Sequence, residues 1–293
     1  MATGLAESGG ARAGRHSFLE DCSLVECVFL KLGGSLLTEK KRAASLRRAV
    51  ARRLAREIMA ALAERPLRLV LGHGAGSFGH FAAARHRTAE GLRGRGGWRG
   101  YAETRLAVIR LNVLLLEVWR KVGFYPLVVA PSSCFLRAAD GRLLAHTDVL
   151  KEMLDAGQVP LVFGDAVLDR RQGFSIASTE EIFAALAGQL NPQRIILATD
   201  VDGVFARDPA QHPQAAHIPV VSAENEAVVL DATARCGRRD VTGGMAGKIR
   251  QLRRLAARSR PLGGMELRII SGLRPGAVYA ALLGKYRGGT LIR

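Results

Sequence analysis

The residues able to do chemistry in this chain gather where glycines interrupt apolar runs. The stretch GHGAGSFGH, Gly72–His80, holds four glycines and two histidines behind the apolar run Leu69–Leu71. Glycine has no Cβ, so such a stretch lets a ligand come close to the main chain. KLGGS (Lys31–Ser35) has the same character and stands between a strand-like and a helix-like segment. Backbone N–H groups exposed there, with the partial positive charge of a helix start, suit a phosphate. Taken alone the stretch reads equally as a tight turn. TDVDGVF (Thr199–Phe205) sets Asp200 and Asp202 beside Gly203, which fits either a turn or a loop facing a nucleotide and its metal. DVTGGMAGKI (Asp240–Ile249) places Gly243 and Gly244 at a helix start, with Lys248 in its first turns.

GAGSFG, Gly74–Gly79, formally matches the dinucleotide fingerprint G-x-G-x-x-G. It follows the second predicted strand rather than the first, and GLRGRGGWRG behind it interrupts any long crossover helix. No acidic residue closes a next strand at the expected distance, so the dinucleotide reading is set aside. The pattern G-x-x-x-x-G-K-[ST] does not occur.

The chain of 293 residues carries a formal charge of +17, yet only seven of its 43 basic residues are lysines. A lysine inside a motif is therefore seldom there by chance. The arginines are scattered along helical stretches such as RRAVARRLARE. They read as solvated helix faces and a general attraction for anions rather than as a nucleic-acid surface. No apolar run approaches the roughly 18–20 residues that span a bilayer. Cys22, Cys27, Cys134 and Cys236 show no paired metal-ligand spacing and suit a reducing, cytoplasmic compartment. Residues 1–23, rich in Gly, Ala and Arg, read as a disordered basic tail without the apolar core of a secretory signal.

The elements that must position these motifs alternate. VECVFLKL, LRLVLG, PLVVA, VPLVFGD, RIILATD and LRIIS read as buried strands. Helices are predicted over residues 43–64, 101–122, 147–156, 179–190, 222–230 and 244–258, with a hairpin at 166–176. Short apolar runs separated by helices imply an α/β fold, a mainly parallel sheet sandwiched by helices. Ligands then sit outside the carboxyl ends of the strands, where every glycine-rich stretch lies. GLRGRGGWRG reads as a lid or surface loop.

In order along residues 25–293, KLGGS with Lys40, HGAGSFGH, PSS at 131–133, GD at 164–165, STEE at 178–181, TDVDGVF and DVTGGM-x-x-K resemble the amino acid kinase superfamily. The histidine after GSFG resembles the mark of its isopentenyl phosphate kinase branch, shared with fosfomycin kinases. The resemblance implies an amino acid kinase-like αβα fold and an ATP- and Mg²⁺-dependent kinase acting on isopentenyl phosphate. It allows dimethylallyl phosphate as a second acceptor. It also implies a homodimer, an N-terminal lobe (24–190) for the acceptor, and a C-terminal lobe (191–293) for the nucleotide.

By the same resemblance, Lys31, Lys40 and Lys248 surround the transferred phosphoryl group. Gly33, Gly34, Ser35 and Gly76 contact nucleotide phosphates, Asp200, Asp202 and Gly203 form the nucleotide loop, and Gly243 and Gly244 lie on the ATP side. Gly74, Ala75, Gly79 and Gly164 hold the acceptor phosphate with His80. No protein ligand is named for the metal, which is expected on the phosphate oxygens. A phosphate monoester needs no general base; its difficulty is meeting a second polyanion. Phosphoryl transfer is mostly positioning and charge stabilisation. An imidazole beside a phosphate is favoured in its cationic form, and a charge-assisted hydrogen bond is about twice as strong as a neutral one. His73, at a strand end, reads as structural.

The chain departs from the family pattern twice. Ala75 stands where glycine is usual, which a negative φ would tolerate. STEE replaces Ser-Gly-Asp, so Glu180 takes the place of the aspartate that orients the catalytic lysines. An apolar tail pocket is expected between the 101–122 helix and the segment around Ser132–Phe135. The alternatives are a related kinase with another small phosphate or phosphonate acceptor, and a basic nucleic-acid-binding relative without catalysis.

Overall fold

The computed structural model describes residues 25–39, 42–92, 94, 96–235, 244–259 and 265–293. The expected tail, Lys40 and Gly243 lie outside the described residues.

The apolar run after Glu26 forms β1 (Cys27–Leu32), buried throughout, and a single turn, α1 (Gly34–Leu37), follows it. Helix α2 (Arg48–Glu64) buries Ala51, Leu54, Ala55, Ile58 and Ala61, the three- and four-residue spacing of one helix face. Next come β2 (Arg68–His73), α3 (Gly76–His86) and α4 (Gly97–Arg120). They lead to β3 (Leu127–Val128), α5 (Pro131–Cys134), β4 (Phe135–Arg137), β5 (Leu143–Ala145) and α6 (Asp148–Asp155). The middle of the chain continues with β6 (Pro160–Phe163), β7 (Asp165–Asp169), β8 (Gly173–Ala177) and α7 (Thr179–Leu190). The remainder comprises β9 (Arg194–Thr199), β10 (Val204–Phe205), β11 (His217–Ile218), β12 (Val220–Val221), α8 (Glu226–Arg235), α9 (Gly244–Ser259), β13 (Glu266–Ser271), α10 (Ala277–Leu282) and β14 (Thr290–Ile292).

Among the described residues the main sheet has the order β12-β14-β13-β9-β1-β2-β6-β3, parallel except for the β13–β14 pair. Alternate residues of β1 feed opposite faces. Val28, Leu30 and Leu32 pack with α2, α4 and α10, while Cys27 and Phe29 pack with α6, α7 and α9. This is the helix–sheet–helix sandwich expected from the alternation. A smaller sheet, β5-β4-β7-β8, stands beside it. Because β9, β1, β2 and β6 run parallel, with Leu32 opposite both Ala198 and His73, their carboxyl ends open on one side of the sheet. The glycine loops share that side.

Several elements differ from expectation. The helix predicted from residue 43 starts at Arg48, since Thr38 bridges Leu46 and Ala44 takes a left-handed φ of 50°. PLVVA forms only the short edge strand β3, whose two residues are exposed rather than buried. The predicted loop GLRGRGGWRG is helical from Gly97, where Trp98 lies 5.5 Å from the Phe174 ring and 5.8 Å from that of Tyr101. The strands β4 and β5 fell in a segment to which periodicity assigned no element.

Candidate active site

The first two glycine loops touch backbone to backbone. A Cβ on Gly34 would lie 2.5 Å from Gly76 N, and one on Gly74 would lie 2.7 Å from Gly34 N. Any side chain at either position would force the loops apart. Gly33 N–H donates to Ala198 O at 2.8 Å and Gly74 N–H to Leu32 O at 3.0 Å, so each loop leaves its strand still tied to the neighbouring one. Thr38 latches the two: its Oγ1 donates to Gly34 O at 2.8 Å and accepts from Ser77 N–H at 2.9 Å.

Ala75 has φ −66°, the negative value its methyl group requires. That methyl sits under Gly79, where a Cβ would meet it at 2.5 Å. The two positions of the first turn of α3 thus share one side chain's worth of space. His80 is half-buried one turn into α3. His73 is wholly buried: its Nδ1 lies 3.1 Å from Gly74 O, its Nε2 3.2 Å from Asn112 Nδ2, and its ring stacks on Phe163. Burial, chiefly, pushes its pKa down to about 4; the Gly74 carbonyl opposes this and the Lys31 charge adds to it. The ring is therefore neutral, with Nδ1–H donating to Gly74 O and Nε2 accepting from Asn112. It is a structural imidazole.

Lys31, near the end of β1, is buried in an ion pair with Glu180 from the first turn of α7; each residue is 6% exposed. Burial alone would raise the Glu180 carboxyl. The ammonium of Lys31, the charge of Lys248 on α9 and the Lys31 hydrogen bond outweigh it and hold the group below the usual glutamate range. Two lysines from opposite halves of the chain thus act on one carboxylate. Thr179 Oγ1 donates to His73 O at 2.7 Å, and its methyl occupies the space above Gly72, where a Cβ would come within 2.7 Å. STEE is in this way packed against the loop it serves.

On the other flank, Ser35 Oγ donates to Asp200 Oδ1 at 2.8 Å, joining α1 to the loop after β9. Asp202 is engaged elsewhere: it accepts from Ser271 N–H at 2.9 Å and from Tyr286 Oη at 2.9 and 3.0 Å. Gly203, with φ +104°, packs where a Cβ would meet Thr290 Oγ1 at 2.5 Å. Both of these residues shape the loop from behind. Gly164 N–H donates to His73 O at 3.1 Å, and a Cβ there would make only ordinary contacts at 3.5 Å and beyond. Gly244 opens α9, and Lys248 lies about one turn further along it.

Between α4 and the Ser132–Phe135 segment, where an apolar pocket is expected, the structure places the buried carboxylate of Asp165. Arg105 Nε lies 3.6 Å from it, Ser132 N–H donates to it at 3.3 Å and Ala166 N–H at 2.9 Å. Burial raises its pKa against the pull of Arg105 and these donors. The seat is partly polar. Sequence reasoning missed Thr38, Arg105, Asn112 and Tyr286 as contributors. Asn112 carried a signal, being a polar residue on the apolar stripe of a predicted helix.

The family model of the amino acid kinase family matches residues 26–271. An isopentenyl phosphate kinase of Methanothermobacter thermautotrophicus is 38% identical over 90% of this chain and 98% of its own length. One from Methanocaldococcus jannaschii is 31% identical over 89% and 96%. A solved isopentenyl phosphate kinase structure, 34% identical, superposes with a TM-score of 0.76 over 91% of this chain and all of that one. The chain belongs to the amino acid kinase family, in its isopentenyl phosphate kinase branch. As a member of that family it is a phosphotransferase with ATP as a substrate, and the fold and branch expected from the ordered motifs are those found. No helix among the described residues is long and apolar enough to cross a membrane.

Proposed function

We propose that this chain transfers the γ-phosphoryl group of ATP to isopentenyl phosphate, giving ADP and isopentenyl diphosphate for isoprenoid synthesis, with dimethylallyl phosphate as a second acceptor. The observation that carries the reading is His80, one turn beyond two glycine loops packed backbone to backbone, in a chain of which 90% aligns with an isopentenyl phosphate kinase.

A terminal oxygen of the acceptor phosphate attacks the γ-phosphorus, and the bond from that phosphorus to the β–γ bridging oxygen breaks. The attacking oxygen is already anionic, so no residue need remove a proton. The chain's part is to hold charge in place. Gly74, Ala75, Gly79 and Gly164 give the acceptor phosphate a seat, and His80 donates a hydrogen bond to it. Gly33, Gly34, Ser35 and Gly76 face the nucleotide phosphates, with Asp200, Asp202, Gly203, Gly243 and Gly244 behind them. Lys31, Lys40 and Lys248 neutralise charge as the two polyanions meet, and Glu180 keeps Lys31 and Lys248 aimed.

Among the described residues no three His, Cys, Asp or Glu side chains group to hold a metal. Asp200 already accepts from Ser35, and Asp202 from Ser271 and Tyr286. That donor set fits Mg²⁺ carried chiefly on phosphate oxygens, as this ion prefers. Bound there, Mg²⁺ supplies charge neutralisation on the nucleotide.

In the same reading the N-terminal lobe, residues 24–190, receives the acceptor and the C-terminal lobe, residues 191–293, the nucleotide. The chain works as a homodimer: α4 exposes Leu106, Ile109 and Val113 at helical spacing, an apolar stripe suited to a second copy. Sedimentation at micromolar concentration checks this. Cys27 and Cys134 are free thiols, in keeping with the cytoplasm.

Release of ADP measured with isopentenyl phosphate, fosfomycin, acetylglutamate and UMP tests the reading. Isopentenyl phosphate is expected to be preferred. Preference for fosfomycin would move the assignment to a phosphonate acceptor, and no turnover together with salt-sensitive RNA binding would replace the enzyme with a binding protein.

A further inference from the structure

Helix α7 begins one residue before the carboxylate that pairs with Lys31. The first turn of a helix has no internal partners for its N–H groups and frays unless it is capped. Ser178 and Glu181 cap it reciprocally. Glu181 N–H donates to Ser178 Oγ at 3.1 Å, and Ser178 N–H donates to Glu181 Oε2 at 2.9 Å. Glu181 Oε1 remains, and Arg137 Nη2 donates to it at 3.1 Å.

Arg137 is anchored along its other edges. Its Nε donates to Ser175 Oγ at 2.9 Å and lies 3.7 Å from Asp169 Oδ2. Its Nη1 donates to Gly141 O at 3.1 Å, and its Nη2 also reaches Ile176 O at 3.3 Å. One guanidinium therefore lashes β4, β7, β8 and the turn after β4 to the first turn of α7. A planar fork of five donors can serve these directions together, whereas an ammonium is a point charge on a flexible stem.

We infer that Arg137 is a positioning residue for the phosphoryl transfer: through the Ser178–Glu181 capping box it fixes the helical turn from which Glu180 reaches Lys31. The inference rests on the role given to Glu180 under Proposed function. A misplacement of about 1 Å can cost on the order of a hundredfold in rate, so a carboxylate that aims two lysines needs a turn that does not move. An open cleft of about 640 Å³ borders Arg137, Ser178, Glu181 and Gln251. It leaves the Glu181 side chain 31% exposed, whereas Arg137 is 16% exposed beside the buried Asp169 carboxylate. Removing the guanidinium is therefore expected to lower Tm as well, and kcat is compared among variants that remain folded at the assay temperature.

The test measures kcat, KM for both substrates and Tm for Arg137→Met and Arg137→Lys, each with Glu180 intact and with Glu180→Gln. With Glu180 intact, Arg137→Met is expected to lower kcat about tenfold while both KM values stay within about threefold, and Arg137→Lys to recover part of the loss. With Glu180→Gln, the same change should alter kcat less than about twofold, because the carboxylate it positions is gone. Equal losses in the two backgrounds, or wild-type kcat for Arg137→Met, would overturn the inference. If Arg137→Met does not fold, Glu181→Gln decides, since it keeps the acceptor for Ser178 N–H and gives up the charge that faces Arg137. A loss seen only with Glu180 intact supports the inference, and an unchanged kcat overturns it. Should Glu180→Gln alone match the wild type, the role of Glu180 fails in that single variant, and this inference falls with it.

Discussion

Lys31 and Glu180 stand 149 residues apart in the chain and meet in a buried ion pair at the carboxyl end of the sheet. Breaking a buried pair leaves an uncompensated charge, which costs about 3–5 kcal/mol, while replacing both partners by neutral groups costs far less. Replacing Lys31 should therefore disturb the fold as well as the chemistry. Lys31→Met is expected to lose both Tm and kcat. The double variant Lys31→Met/Glu180→Gln should regain most of the Tm and none of the kcat. Scanning calorimetry with an ADP-release assay separates the two, and recovery of kcat in the double variant would remove the pair from the mechanism.

Acid should weaken the fold through His73. Its pKa is about 4 in the folded protein against an ordinary 6.5. Between these values the unfolded chain binds the proton and the folded chain does not, so stability rises with pH across that window and is full above it. The whole effect is of order 3 kcal/mol. Glu180 acts in the same sense further down, since its lowered pKa gives stability that is lost as pH falls below the usual glutamate range. Denaturant midpoints from pH 4 to 7 measure the slope. His73→Gln should flatten it in the upper window, and an unchanged slope would assign it to other groups.

His80 should behave in the opposite way, through kinetics and not stability. His80→Ala removes a charge-assisted hydrogen bond of about 1.5–3 kcal/mol, a loss of roughly tenfold to 150-fold in kcat/KM for the acceptor. Its half-buried place on α3 predicts an unchanged Tm. His80→Gln keeps a neutral donor and should recover part of the activity. A folded His80→Ala with the wild-type rate would make this histidine structural and withdraw the choice of acceptor.

The glycines divide into two kinds. Gly34→Ala drives a methyl group into the backbone of Gly76, so Tm and activity should fall together. Gly164→Ala has room for its methyl group, with contacts no closer than 3.5 Å. If Gly164 faces the acceptor phosphate, that variant should keep its Tm and raise KM for isopentenyl phosphate while KM for ATP holds. Equal changes in both KM values would place Gly164 outside the acceptor seat.

Much of the fold was legible because it is written in local patterns. Apolar runs such as LRLVLG and RIILATD separated by amphipathic helices define a parallel sheet covered on both faces, and such a sheet puts its loops at the strand ends. Motif glycines and scarce lysines were equally visible, since the chemistry needs those residue types wherever the chain folds. The edge position of β3 was not legible: a short apolar run reads the same in the centre of a sheet and at its margin. Nor was the helical start at Gly97, where Trp98 gains Phe174 as a neighbour only once β8 is in place.

Within the site, sequence by itself determined which side chains were candidates, and tertiary structure decided what each one does. Asp200 and Asp202 are two residues apart and look alike, yet one meets Ser35 across the site and the other turns to Ser271 and Tyr286. His73 and His80 flank one loop, and burial against Asn112 and Phe163 makes the first a structural imidazole. The capping box at Ser178–Glu181 was present in the letters, but its anchor on Arg137 depends on β4 lying beside β7. Hydrogen bonds and ion pairs between distant segments depend on where the sheet brings them, and that is settled by the packing of the whole chain.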